Sequence, residues 1–303
     1  MNILVTGATG FIGTQLVRGL LQEGHGVCCT LLPGEENPFV PEGVAGISIE
    51  VEELPVFVDF LRSQQVDGVL HLASMVLSDT HQAQQIPSLI AANITFGTLV
   101  LEASVQAGVK WYVNTGSYWQ YYDSDKEYSP VNLYAATKQA FTIMARYYTE
   151  VYPLRFCTLM LFDTYGPGDP RPKIFSLWER IAATGETLAM SPGDQIIDMS
   201  YTEDIVRAYI MLAEHLQVSN APLSNEFVVS AKHRYTLREL AKLYEEVRGV
   251  KLNIEWGARP YRHREVMVPF VGGILVPGWY PKVSLEEGIQ KMAAAGMQKG
   301  ANL

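Results

Sequence analysis

The chain has 303 residues, 48% of them apolar and 18% charged, which allows a sizeable core and excludes a disordered or fibrous protein. Its formal charge of -9, with 32 acidic against 23 basic residues and no block of Lys and Arg, argues against nucleic acid as a partner. With no apolar run expected to reach a membrane span, no basic leader, and only Cys28, Cys29 and Cys157 at spacings that suit neither disulfides nor a metal, the expectation is a soluble, cytoplasmic protein with reduced thiols and no metal centre.

In chain order, Ile3, Leu4 and Val5 form a short apolar run that stops at Thr6-Gly7-Ala8-Thr9-Gly10-Phe11-Ile12-Gly13. Leu16, Val17, Leu20 and Leu21 then recur at helical spacing until Gly24, and a second apolar run covers 27–32. Strand, glycine turn, helix, strand is a βαβ unit, which implies a parallel sheet. The alternation continues with strands expected at 46–49, 69–72, 110–114 and 156–162 and helices at 55–64, 88–107, 131–148 and 174–184. The last 120 or so residues are broken by prolines at 192, 222, 260, 269, 277 and 281 and read as a smaller lobe. Two helix starts there carry capping-box patterns, Thr236 with Glu239 and Ser284 with Glu287. The expected architecture is α/β: a Rossmann-type doubly wound parallel sheet over residues 1–167, followed by a mainly substrate-binding lobe over 168–303, some segments of which return to the first domain.

Gly7, Gly10 and Gly13 follow a strand and open a helix, the context in which a glycine triplet means dinucleotide binding. Gly7 permits the tight turn, Gly10 lets the backbone approach a pyrophosphate, and the helix N-terminus offers donors to the phosphates. Tyr134 and Lys138 lie one helical turn apart, on one face. They follow a strand that ends near Asn114, with Ser117 just beyond.

These segments, together with His71-Leu72-Ala73, Asn93-Ile94-x-x-Gly97-Thr98, Tyr165-Gly166-Pro167 and Gly278-Trp279-x-Pro281, resemble the extended short-chain dehydrogenases/reductases over nearly the whole chain. The resemblance implies Ser117, Tyr134 and Lys138 as catalytic residues. Tyr134 would be the proton donor to an alkoxide, Lys138 would lower the phenol's pKa and hold the nicotinamide ribose, and Ser117 would donate to the substrate oxygen. It also implies a cofactor site built from Gly7, Thr9, Gly10, Phe11 and Ile12 of the turn, Thr30 after the second strand and Glu50 with Val51 after the third. Leu72, Ala73 and Ser74 after the fourth strand, Asn93, Thr115 and Phe162 complete it, together with Tyr134 and Lys138. An acidic residue at the end of the second strand would clamp the adenosine ribose of NAD and repel the extra phosphate of NADP; Thr30-Leu31-Leu32 supply none, so NADP(H) is favoured over NAD(H).

Within the family, the segment after Ser117 lacks the Asp-Glu pair of nucleotide-sugar 4,6-dehydratases. The runs Ser129 to Phe141 and Phe162 to Arg171 look like the CDP-abequose synthase branch, the 4-ketoreductases of nucleotide-linked deoxysugars. The resemblance then places Val76, Ser117, Tyr118, Trp119, Asp163, Thr164, Arg171 and Arg259 at a nucleotide-diphosphate sugar. Asp163 stands where most members have Asn, and Ile197 where an Arg usually contacts the diphosphate; Arg171, Arg259 and Arg262 are the compensating candidates. The expected activity is NADPH-dependent reduction of the 4-keto group of a nucleotide-linked 6-deoxyhexose or 3,6-dideoxyhexose. The alternatives are a C4 epimerase that keeps NAD bound, and a non-catalytic nucleotide sensor. Apolar stripes at Ile90, Ile94, Leu101 and Val105 and at Leu133, Phe141 and Met144 suit either internal packing or the helix bundle of a homodimer.

Overall fold

The computed structural model describes residues 1–32, 41–49, 53–77, 81–122, 127–218 and 226–300, the side chains of 296–300 excepted. Its centre is an eight-stranded sheet. Strands β1 (Asn2–Thr6), β2 (Gly26–Thr30), β3 (Ala45–Ile47), β4 (Gly68–His71), β5 (Trp111–Ser117) and β6 (Arg155–Leu161) stand in the order β3-β2-β1-β4-β5-β6. Beyond β6 the sheet is extended by β11 (Glu226–Val229) and β14 (Ile274–Leu275), which come from the C-terminal part of the chain. Every pairing in this sheet is parallel. The order reverses between β1 and β4, and the crevice beyond the carboxyl ends of those strands is where such sheets bind ligands.

Ile3, Leu4 and Val5 are fully buried because helices cover both faces, which is why β1 reads as a continuous apolar run without alternation. On one face α1 (Phe11–Gln22) packs Leu16, Val17 and Leu20 against Ile205, Tyr209 and Ile210 of α7 (Thr202–Val218). On the other, α2 (Leu54–Ser63) packs Phe57, Val58 and Leu61 with Leu99 and Val100 of α4 (Phe96–Ala107) and Phe141 and Ala145 of α5 (Leu133–Val151).

The helix expected at 88–107 is longer and irregular. A 3₁₀ turn (Ala83–Gln85), α3 (Ile86–Ile90), a π turn (Ala91–Thr95) and α4 run on as one helical stretch. At 25 residues this stretch is, by length and composition, enough to cross a membrane, so the expectation that none comes close is corrected. Here the stretch is a core helix, with Leu89, Leu99, Val100 and Leu101 buried against the sheet and α5. Cys28, Cys29 and Cys157 are buried and unbridged, and burial pushes the Cys28 thiol up to about 12.

The smaller lobe gathers α6 (Ile174–Thr184), α8 (Leu237–Arg248) and α9 (Leu285–Gly300) around Phe175, Trp178, Leu240 and Ile289. Three two-stranded pairs lie apart from the main sheet: β7 (Asp163–Tyr165) with β10 (Met199–Tyr201), β8 (Leu188–Met190) with β13 (Ile254–Trp256), and β9 (Ile196–Ile197) with β12 (Tyr235–Thr236). The capping box at Thr236 and Glu239 forms in full. That at Ser284 forms by half: the Glu287 amide donates to Ser284 Oγ at 3.2 Å, while the Glu287 carboxylate lies 3.3 Å from Lys291.

Candidate active site

The glycine turn sits at the carboxyl end of β1, beside the point where strand order reverses. Gly7 adopts φ +69°, and a Cβ there would come within 2.7 Å of the Ala73 nitrogen, so only glycine lets the turn pass this close to the segment after β4. A Cβ on Gly13 would stand 2.0 Å from the Gly7 carbonyl oxygen, which accounts for the third glycine. Gly10 is exposed, and Gly10 caps α1 with no side-chain hydrogen bond to the first-turn amides. The Phe11 and Ile12 amides therefore lie at an open, uncapped helix N-terminus, which fits the pyrophosphate of a dinucleotide. Thr9 is half-buried in the same turn.

The turn is anchored to β4. Thr6 Oγ1 lies 2.8 Å from His71 Nδ1 and accepts the Ala73 amide at 3.1 Å, and the Leu72 amide donates to the Thr6 carbonyl at 3.2 Å. His71 is 1% exposed, and burial together with the Lys138 charge pushes its pKa down to about 3, so it is a neutral packing group. Thr30 ends β2 and is buried, whereas Leu32 is exposed. Glu50 and Val51, expected at the cofactor's adenine end, lie outside the described residues.

Ser117 ends β5, and Tyr134 and Lys138 lie on the first turns of α5, so strand and helix bring the three together. Asn132 caps α5, its Oδ1 accepting the Ala135 amide at 3.0 Å and its Nδ2 donating to the Leu77 carbonyl at 2.9 Å. Gln120 ties the Ser117 turn to the same helix: its Oε1 accepts the Ser117 amide at 3.0 Å and its Nε2 donates to Gln139 Oε1 at 2.7 Å. Trp119 meets the Tyr134 ring edge-on at 6.3 Å between centroids.

Burial dominates the electrostatics of the pair. Burial pushes Tyr134 up to about 12, and the groups pulling it partly back are the Ser117 and Ser74 hydroxyls and the Arg171 charge. Lys138 is itself buried, and loss of hydration brings it down to about 8, so in the free protein its ammonium is the costly partner. Tyr134 is thus held as the protonated phenol.

Asn93, Ser74 and Thr115 stand behind this trio. The π turn aims Asn93 inward, where its Oδ1 accepts Ser74 Oγ at 3.0 Å and the Met75 amide at 2.8 Å. Thr115 Oγ1 donates to the His71 carbonyl at 2.7 Å and lies 2.6 Å from the buried Tyr209 hydroxyl of α7. Neither Tyr209 nor Gln120 was expected at the site. Tyr209 carried no signal, because it lies on α7, a helix the sequence analysis did not place, whereas Gln120 follows Ser117 at the three-residue spacing of a capping box.

At the start of β7, Tyr118 stacks on Phe162 at 5.2 Å and its hydroxyl donates to Asp163 Oδ2 at 3.0 Å. Arg171 donates through Nε and Nη2 to the two carboxylate oxygens of Asp169 at 2.7 and 2.6 Å and through Nη2 to Thr164 Oγ1 at 2.9 Å, and its guanidinium lies 4.7 Å from the centre of the Phe11 ring. Arg171 therefore joins the glycine turn to β7 and the loop after it. Val76 is 59% exposed after β4. Arg259 is exposed beyond β13, with its amide donating to the Met190 carbonyl at 3.1 Å; among the described residues no contact joins it to the Tyr134 cluster. Ile197 carries no charge, and Asp198 beside it is paired internally with Arg234 at 2.8 Å.

Comparison with known proteins shows the family and the fold. The chain is 27% identical to CDP-abequose synthase of Yersinia pseudotuberculosis over 272 residues, covering 89% of this chain and 92% of the relative. It is 26% identical to UDP-glucuronate 4-epimerase of Thermodesulfobacterium geofontis over 95% of this chain and 94% of that one. Its fold superposes on MoeE5, solved in complex with UDP-glucose and NAD, with a TM-score of 0.83 at 24% identity over 99% of both chains. The model of the NAD dependent epimerase/dehydratase family matches residues 3–226, and the chain belongs to that family.

Proposed function

We propose that the protein reduces the 4-keto group of a nucleotide-linked 6-deoxyhexose or 3,6-dideoxyhexose to a 4-hydroxy sugar, consuming NADPH. The observation that carries this reading is the convergence of Ser117, the protonated Tyr134 and buried Lys138 beside the open glycine turn. A hydride arriving at the ketone carbon leaves an alkoxide that needs a proton in the same event. Bound NADPH would supply that hydride. Tyr134, kept as the neutral phenol by burial, gives its proton to the oxygen, and Ser117 Oγ orients that oxygen and shares its developing charge. Lys138 stabilises the tyrosinate that results and holds the nicotinamide ribose. The ketone gains one hydride and one proton, and NADP remains.

Gly7, Gly10 and the amides of Phe11 and Ile12 would take the pyrophosphate, with Thr9, Thr30, Leu72, Ala73, Thr115 and Phe162 along the cofactor. Tyr118, Trp119, Asp163, Thr164 and Val76 would face the sugar. The likeness to CDP-abequose synthases, among them those of Yersinia pseudotuberculosis and Salmonella muenchen, supports the reductive branch. The absence of a carboxylate at Thr30, Leu31 and Leu32 favours NADPH over tightly held NAD.

The same fold also suits a C4 epimerase, and the likeness to UDP-glucuronate 4-epimerase favours keeping that as the second reading. Redox accounting separates the two. A reductase shows loss of the reduced-nicotinamide absorbance in step with a 4-hydroxy product from a nucleotide-linked 4-keto-6-deoxyhexose. Interconversion of two 4-hydroxy sugars without added NADPH, by protein purified with NAD bound, would replace it with the epimerase.

The protein would act in the cytoplasm as a homodimer. Leu101 and Phe141 are spent inside the core, but Ile90 of α3 and Ile143, Met144, Tyr147 and Val151 of α5 are exposed apolar side chains on adjacent helices. Light scattering at the mass of one chain would remove the dimer from the proposal.

A further inference from the structure

We infer that Arg264 is a positioning residue for the proposed reaction: it clamps a turn at 262–265 onto the segment that runs from Ser117 to Tyr134, and so fixes the spacing of the two groups that meet the substrate oxygen. This rests on the reading of Ser117 and Tyr134 as the reacting pair.

Arg264 holds a backbone conformation that arginine avoids. Its φ is +61°, and among the described residues Gln65 is the one other non-glycine residue in that left-handed state. The Glu265 amide donates to the Arg262 carbonyl at 3.1 Å, closing a turn in which Arg264 takes the third position. A turn with positive φ at that position selects glycine. The side chain adds a second cost, because Nε is buried with no partner among the described residues. Such costs persist where surrounding contacts hold the residue in place, and they gather at functional sites.

Two contacts hold this one. Nη2 donates to Ser129 Oγ at 2.7 Å, and the guanidinium carbon lies 4.1 Å from the centre of the Tyr122 ring. Both partners belong to stretches laced together by their backbones: the Tyr122 amide donates to the Ser129 carbonyl at 2.8 Å, the Ser129 amide to the Gln120 carbonyl at 3.0 Å and the Val131 amide to the Trp119 carbonyl at 2.9 Å. The Gln120 side chain in turn accepts the Ser117 amide, and Ser129 lies just ahead of Asn132, the cap of the helix that carries Tyr134. From the C-terminal part of the chain Phe270 also stacks on Tyr121, at 4.2 Å. Among the described residues no hydrogen bond or ring contact joins Arg264 to Ser117 or Tyr134, so it acts on both through this laced segment.

The test compares Arg264→Gly, Arg264→Lys and Ser129→Ala with wild type by urea denaturation, NADPH titration, amide hydrogen exchange and steady-state turnover. Arg264→Gly should stay close to wild type in stability, since glycine takes the positive φ freely and the buried Nε is gone, and its NADPH affinity should not change. Exchange of the Tyr122, Ser129 and Val131 amides should quicken. For the nucleotide sugar, kcat should fall by roughly 10–10²-fold at unchanged KM, the effect of a small misplacement of reacting groups. Arg264→Lys, which keeps a cation for Tyr122 and a donor for Ser129, should recover part of kcat, and millimolar guanidinium should do the same for Arg264→Gly. Ser129→Ala should lower kcat by less and add nothing to Arg264→Gly in the double variant. Wild-type kcat in Arg264→Gly, or a raised KM for the sugar at wild-type kcat, overturns the inference and leaves the proposed reaction standing. So does a joint loss of stability and turnover that neither lysine nor guanidinium repairs. Wild type that reduces no nucleotide-linked 4-keto sugar overturns the reaction instead, and unchanged amide exchange in Arg264→Gly overturns the clamp.

Discussion

Asn93 Nδ2 donates to Thr137 Oγ1 at 2.9 Å, joining the π turn to the face of α5 that carries Tyr134 and Lys138. The same amide donates to the Met75 carbonyl at 2.9 Å, and its oxygen accepts the Met75 amide and the Ser74 hydroxyl. With both of its donor hydrogens and two lone pairs satisfied within the protein, Asn93 acts by positioning: it fixes the segment after β4 against the helix that bears the proton donor. The extra residue of the π turn is what turns Asn93 inward, and π turns of this kind gather at functional sites.

Asn93→Ala should therefore cost on the order of 1–3 kcal/mol of stability, because it takes the partner from the half-buried Met75 backbone and removes one bond of the buried Thr137 hydroxyl. Urea denaturation measures it. NADPH affinity should fall with stability, since Ser74 loses its anchor; a variant as stable as wild type would show that the network carries no energy.

Tyr134→Phe removes the proton donor and keeps the ring that Trp119 packs against. Turnover should drop by about 10²–10⁴-fold, the usual worth of a positioned general acid, with NADPH binding unchanged by fluorescence titration. Reduction at near wild-type rate would show that another group supplies the proton.

The parallel βαβ alternation, the glycine turn and the one-turn spacing of Tyr134 and Lys138 were legible in sequence because each is local. The apolar run of β1 stops at the glycine turn, and Tyr134 and Lys138 are separated by one helical turn. Helix 174–184 was placed to the residue, since its amphipathic face and Gly185 mark both ends. What sequence could not show is tertiary. Arg171 reads as a free phosphate ligand until its bonds to Asp169 are seen, and Tyr209 reads as core until its hydroxyl is found on Thr115. Burial is tertiary too: it raises the Tyr134 phenol and lowers the Lys138 amine, and neither shift follows from their spacing.

NADPH should bind more tightly than NADH. β2 ends in a buried Thr30 followed by Leu31 and an exposed Leu32, so no carboxylate there opposes the 2′-phosphate. Introducing one, Leu31→Asp or Leu31→Glu, should shift preference toward NADH through repulsion of that phosphate. Parallel fluorescence titrations decide it; a wild-type preference for NADH defeats the argument.

Buried Lys138 gives the free protein a signature in pH. Its pKa is about 8 in the folded protein, against roughly 10.4 for an exposed lysine in the unfolded chain. Below pH 8 both states carry the proton, and the folded state bears the whole cost of burying an ammonium. Between about 8 and 10.4 the folded protein has released the proton while the unfolded chain still holds it, so stability rises with pH and the cost fades. Tyr134 works in the other direction but later, because its folded pKa of about 12 lies above that of a free phenol and its loss of stability begins only near pH 10. Lys138→Met should accordingly be more stable than wild type at pH 7, and the gap should narrow by about 2 kcal/mol by pH 9.5. Turnover moves oppositely: wild-type reduction should decline as Lys138 loses its charge above about pH 8, and the Met variant should be nearly inactive throughout. Urea denaturation of the free protein at the two pH values supplies the first measurement and a pH–rate profile the second. A gap that stays constant from pH 7 to 9.5 would show that Lys138 keeps an ordinary amine pKa and that burial does not govern its charge.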